Sequence, residues 1–203
     1  MSPDRDAVRR TRSHARSRRL RPVLVVALAG GVALPGCTDS DATVGERSRQ
    51  AADAGLALQV ARTQACLQEH GPGLWATGGD TAALTGELMD CAGTTILNLD
   101  DEGVLTVEHL YRVLGSIAIS AVMVDGEVLL TMFTQESAVV QSGVTSERTT
   151  LATCWQVAVD EAGELGVPSG VPCSDVVVSV THPTEVLPLD TVEVPSSPGG
   201  ESA

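Results

Sequence analysis

Apolar positions Leu56, Val60 and Leu67 recur at helical spacing between Arg47 and Glu69, and His70-Gly71-Pro72 follows as a stop signal. A long first helix is therefore expected over 47–69. Gly55 within it costs about 1 kcal/mol relative to alanine and weakens its first turns. Asp80 is placed to cap a second, short helix through Ala92, which Gly93 would end. Thr106 is the expected cap of a third helix to Leu114, with Val107, Leu110 and Leu114 on one face. The period then changes. Val122–Val124 and Val128–Thr134 flank Asp125-Gly126, a pair suited to the positive φ angles of a two-residue hairpin turn. The segment between, Ser116–Ala121, fits either the end of the helix or the start of the hairpin. Thr149–Asp160 and Asp175–Thr181 are rich in valine and threonine and read as further strands. The pattern predicts an α+β fold, N-terminal helices packed on a small antiparallel sheet, in a single globular domain over residues 47–182. Residues 183–203, with four prolines among serines and glycines, read as a disordered tail.

Charge changes this picture at the N-terminus. Residues 1–36 carry eight arginines against Asp4 and Asp6, a charge of +6, whereas the rest sets five arginines against 24 carboxylates, a charge of −19. A short basic head before an acidic body is what a targeting segment looks like, and it is left out of the fold. The acidic body and the four aromatic residues of the whole chain (Trp75, Tyr111, Phe133, Trp155) exclude nucleic acid as a partner. Such a surface releases no counterions from phosphates, and too few rings are present to stack bases.

The head has three parts. Its arginines precede Val23–Leu34, twelve residues without a charge, within the ~7 to 15 of a signal h-region and short of the ~20 needed to span a bilayer. Leu34-Pro35-Gly36-Cys37 follows at once. It resembles the lipobox of bacterial lipoprotein precursors: an aliphatic residue at minus three, a small residue at minus one, then cysteine. The resemblance implies that residues 1–36 are a lipoprotein signal peptide cleaved after Gly36. It also implies that the Cys37 thiol receives a diacylglyceryl group and becomes the acylated first residue. Thr38–Glu46 is small and polar, so residues 37–46 read as a flexible tether. Arg18-Arg19 after Ser17 raises the twin-arginine export route, but Arg21 stands where that signal takes an aromatic or aliphatic residue, so general secretion is the expectation. Arginine without any lysine, beside abundant Ala, Val and Gly, points to a GC-rich genome and narrows the resemblance to actinobacterial lipoproteins.

Removing Cys37 leaves Cys66, Cys91, Cys154 and Cys173, an even set in an exported chain and hence two expected disulfides. Three pairings exist. Sequence neighbours favour Cys66 with Cys91 and Cys154 with Cys173. No two of these cysteines have the C-x-x-C spacing of a zinc knuckle. Helices first, then a sheet with a late cysteine pair, resembles small uncharacterised actinobacterial lipoproteins, a resemblance that implies no activity.

The motifs of catalysis are missing. Without lysine there is no Schiff base, no Ser-x-x-Lys signature and no P-loop, and neither H-E-x-x-H nor G-x-S-x-G occurs. His70, His109 and His182 are the histidines of the mature chain. The segment Asn98–His109 resembles an EF-hand calcium loop, with oxygen side chains of Asn98, Asp100 and Glu102 at positions one, three and five and Gly103 at six. Its twelfth position is His109, where calcium takes a bidentate glutamate, and Glu108 falls one residue early. An acidic turn at a helix N-terminus is the competing reading. The expectation is a lipid-anchored extracytoplasmic envelope protein on the cell membrane. It would be a non-catalytic module binding a ligand or another envelope protein; a hydrolase without a local motif and a weak calcium-binding lipoprotein are the alternatives.

Overall fold

A computed structural model describes residues 43–107 and 110–195. The leader, Cys37, Glu108, His109 and the last eight residues lie outside the described residues. The first helix, α1, runs Val44–Ala76. Thr43 caps it in a reciprocal box: its hydroxyl accepts from the Glu46 amide, and its own N–H donates to Glu46 Oε2 at 2.6 Å. Hydrogen bonds to the Glu46 carboxyl from Thr43, its backbone N–H first and its side chain second, hold that carboxyl below its ordinary pKa. The last residues expected in the tether thus begin a helix.

The expected stop at His70-Gly71-Pro72 does not end α1, which passes through Pro72 for another turn. Proline forfeits one N–H, but this turn buries Leu74 completely and lets the Trp75 indole donate to Gly126 O at 2.9 Å. Burial of a leucine side chain alone contributes about 1.5 to 3 kcal/mol, enough to offset much of the proline penalty. One stripe of α1 is buried: Ser48, Ala52, Leu56, Val60, Thr63, Leu67, Gly71 and Leu74, spaced by three or four residues.

That stripe lies on a sheet whose centre is β2 (Gly115–Val124), β3 (Glu127–Ser142) and β4 (Thr145–Val159). These pair antiparallel in sequence order. The Asp125-Gly126 hairpin is as expected: Val124 faces Glu127, and φ is 51° at Asp125 and 89° at Gly126. The rest of the sheet departs from the expected small antiparallel one. Two-residue strands border it, β1 (Thr94–Thr95) parallel to β2, β5 (Ser169–Gly170) antiparallel to β4, and β6 (Glu185–Val186) parallel to β4. The sheet is therefore mixed, with six strands.

Helix α2 (Thr81–Leu88) is capped by Asp80, whose carboxylate accepts from the amides of Ala82 and Ala83 at 2.9 Å, as the sequence predicts. It ends before Cys91, which lies in the turn beyond. The third helix, α3, is Asp101–Thr106 rather than Thr106–Leu114: Asp100 caps it, and Leu110–Arg112 forms a 3₁₀ turn. Carboxylates at 100–102 favour a helix N-terminus more than a lone threonine at 106 does. Asp175–Thr181 is helix α4, not a strand. β4 has β3 along one edge and β5 and β6 along the other, and Asp175–Thr181 lies across the sheet face instead of joining an edge. As a helix it buries Val177 and Thr181, one turn apart.

Three layers result, with the sheet in the middle. α1 and α2 cover one face over a core of Leu67, Leu74, Leu84, Leu88, Leu130, Met132, Trp155 and Val157. α3, the 3₁₀ turn and α4 cover the other over Ile96, Leu110, Ile117, Phe133, Cys154 and Val177. The chain stays folded past the expected boundary at 182. Thr184 N and Leu187 N donate to Thr150 O and Ala152 O, both at 2.7 Å, and Leu189 and Val192 are buried, so 183–195 belongs to the domain. No described helix is long and apolar enough to cross a membrane.

Hydroxyls thread the core between α1 and the sheet. Thr63 Oγ1 donates to Gln59 O, so it must accept from Ser116 at 2.7 Å. Ser116 in turn accepts from Thr134 at 2.9 Å, and Thr134 accepts from the Trp155 indole N–H at 3.0 Å. Every member is satisfied. Thr153, paired directly with Thr134 across the sheet, is equally buried, but its hydroxyl has no partner. The same substitution at the two positions is therefore expected to act oppositely. Thr134→Val should cost about 1 to 3 kcal/mol by orphaning the indole N–H of Trp155, whereas Thr153→Val should be neutral or stabilising. Urea midpoints of the two variants check this.

Candidate functional site

The expected cysteine pairs are both present. Cys66 and Cys91 bridge with Cα atoms 5.4 Å apart, joining α1 to the turn after α2; Cys154 and Cys173 bridge at 5.3 Å, joining β4 to the segment before α4. Each bridge fastens one helical layer. A ring nitrogen of His70 lies within 4.8 Å of both sulfurs of the first bridge. Those sulfurs are bonded to each other and are not thiolate ligands; His70 Nδ1 instead meets Glu87 Oε2 at 3.5 Å.

The expected calcium residues have other settings. Asn98, at φ 55°, spends its side chain on β2, donating to Ala121 O at 3.1 Å and accepting from Ala121 N at 3.3 Å. Asp100 Oδ1 accepts from Gly103 N at 2.8 Å as the cap of α3, and Glu102 is exposed on its first turn. Positions four to nine of the would-be loop are helical, with Asp100 as the cap and Glu102 in the first turn of α3. Among the described residues, neither His70 nor His182 hydrogen-bonds a serine or cysteine through its ring.

What the structure assembles instead is a groove of about 580 Å³ on the sheet face that carries α4. Its floor is the cross-strand surface of β3 and β4: Gln135, Ser137 and Val139 with Thr150 and Arg148. Register makes this set, placing Ser137 opposite Thr150 and Val139 opposite Arg148. Arg112 and Leu114 form one wall; Thr181 and His182, the left-handed C-cap of α4, form the other. Two of the five arginines after residue 36 meet here, and among the described residues no carboxylate lines the groove. In a body of charge −19 that is a local reversal of sign.

Two hydrogen-bonding features mark the floor. The Ser137 and Thr150 hydroxyls bond each other at 2.9 Å, which leaves one O–H of the pair free to donate outward. Gln135 is 1% exposed; its Nε2 donates to Val113 O, which fixes the amide orientation, and its buried Oε1 has no partner. A buried acceptor left unmatched costs about 1 to 3 kcal/mol, and native folds keep few of them. Leu114 and Val139 are 56% and 54% exposed and give the groove an apolar flank. Sequence reading missed all of these residues. Arg112 and Arg148 are 36 positions apart without a motif, and they meet His182 only where the 3₁₀ turn, β4 and the end of α4 border one groove.

Comparison of the chain with protein-family models, with curated proteins and with solved structures finds no match in any of the three.

Proposed function

We propose that this chain is the precursor of a lipid-anchored envelope protein, whose acidic α+β domain is a non-catalytic binding module on the extracytoplasmic face of the cell membrane. The observation that carries the reading is Leu34-Pro35-Gly36-Cys37, set immediately after twelve uncharged residues and a basic head. Two disulfides support an oxidising compartment, since such bonds persist outside the reducing cytosol. α1 begins at Val44, so an acylated Cys37 would hold the domain only a few residues from the bilayer. Two acyl chains would make the anchor stable, because each buried methylene contributes about 0.8 kcal/mol and one chain alone binds reversibly. The acidic surface repels anionic headgroups and keeps the moored domain off the membrane plane. The groove floored by Gln135 and Arg148 is the concave site such a module would use.

Fractionation of producing cells tests the anchor. The native chain should remain with membranes after a high-salt wash and enter detergent, whereas Cys37→Ala should lose the acyl chains and leave the detergent phase. Equal partitioning of the two chains would overturn the reading.

A further inference from the structure

Resting on the reading of the domain as a binding module, we infer that the groove between the 3₁₀ turn and α4 binds a small organic anion. The ligand class is a carboxylate or phosphate monoester carrying a short apolar body. Charge points to the anion. Arg112 and Arg148 border one cavity, and no aspartate or glutamate is among its described lining residues. A guanidinium offers a planar fork of N–H donors that matches the paired oxygens of carboxylate or phosphate. Arg148 has no ion-pair partner among the described residues, so its donors face solvent without competition from the protein.

Size and wall chemistry define the rest of the ligand. About 580 Å³ holds a small molecule rather than a polymer segment. Leu114 in the wall and Val139 on the floor, both more than half exposed, offer an apolar surface that inorganic phosphate alone would leave uncovered. The spare hydroxyl donor of the Ser137–Thr150 pair lies on the same floor as Arg148 and gives the anion a third, neutral contact. Gln135, buried with Oε1 unpartnered, adds an acceptor at the base for a donor group on the ligand body.

Titration of the full chain in non-ionic detergent, followed by NMR at the amides of Gln135, Val139, Arg148 and His182, tests this. The probes are inorganic phosphate, phenyl phosphate and phenylacetate, with benzyl alcohol as the uncharged control. Saturable shifts confined to the groove are expected with the two aromatic anions, weaker ones with inorganic phosphate, and none with benzyl alcohol. Arg148→Gln, an exposed substitution, should weaken phenyl phosphate about tenfold or more, with Arg148→Lys intermediate because it keeps charge but loses the fork. Arg112→Gln should act in the same direction, and thermal melting of each variant establishes that it folds. Absence of saturable shifts with every anion would overturn the inference, as would affinities unchanged in both glutamine variants or equal binding of benzyl alcohol. A silent groove in a chain that carries lipid on Cys37 defeats this inference alone; a responsive groove in a chain without lipid defeats only the anchor.

Discussion

Gly71→Ala is expected to destabilise the domain by about 3 kcal/mol, although alanine is the better helix former by about 1 kcal/mol. A Cβ at position 71 would fall inside contact distance of the Gly163 carbonyl oxygen and 2.8 Å from its carbonyl carbon. These are backbone atoms, so no side chain can swing away. Position 163 is closed from the other side as well: its φ is +79°, and a Cβ there would stand 2.6 Å from Pro72 Cδ. The two glycines let the loop after β4 rest directly on α1 beside its proline, and Gln68 fastens the same contact by accepting from Leu165 N at 3.3 Å. At about 2 to 4 °C per kcal/mol for a chain of this size, the melting temperature should fall by roughly 6 to 12 °C. Gly86→Ala is the control, in α2, where a Cβ would meet nothing within 4 Å. It should be neutral or stabilise by up to about 1 kcal/mol. Equal effects of the two alanines would mean that helix propensity, rather than the packing at Gly163, governs position 71.

The second large effect is expected from the Cys66–Cys91 bridge, removed as the double variant Cys66→Ala/Cys91→Ala so that no free thiol remains. The bridge spans 25 residues of sequence, and the chain-entropy model then gives about 3 to 4 kcal/mol of constraint on the unfolded chain. Cys91 is buried and Cys66 packs against the same core, so the alanines add a small packing loss to that figure. Cys154→Ala/Cys173→Ala opens a loop of 19 and should cost about 3 kcal/mol, because the cost depends only on the logarithm of loop length. Urea unfolding under oxidising conditions measures both. A loss below about 1 kcal/mol for either pair would show that the bridge adds little to what the core already constrains.

Local chemistry was legible in the sequence; contributions from across the fold were not. Asp125-Gly126 announces its turn because both residues tolerate positive φ, and Asp80 announces its helix because a carboxylate there matches free amides. The cysteines pair with their sequence neighbours as arithmetic suggested. Pro72 misleads because it is a stop signal only until Leu74 and Trp75 find partners on the sheet and at the hairpin turn. The valines of 175–181 carry strand propensity, but in α4 they pack on the sheet face instead, with Val177 buried against Phe133 and its neighbours. Half of the buried stripe of α1 is Ser48, Ala52, Thr63 and Gly71, small or polar residues that a hydrophobic count passes over. Ser48 earns its place by bonding Ala138 O at 3.0 Å, and Thr63 by joining the hydroxyl chain to Trp155. The end of the domain hides for a similar reason: Leu189 and Val192 are isolated apolar residues among prolines, and their burial depends on main-chain bonds to β4. The groove is the least legible part, since its arginines come from a 3₁₀ turn and a long strand that share no local pattern.

The anchor is the claim from which compartment, disulfides and binding role follow, and intact-mass analysis of the chain purified from producing cells tests it most directly. The expected product begins at Cys37, lacks residues 1–36 and carries the added mass of a diacylglyceryl group, with fragmentation placing that mass on the first residue. A chain that retains the leader, or one that begins elsewhere with Cys37 unmodified, would contradict it.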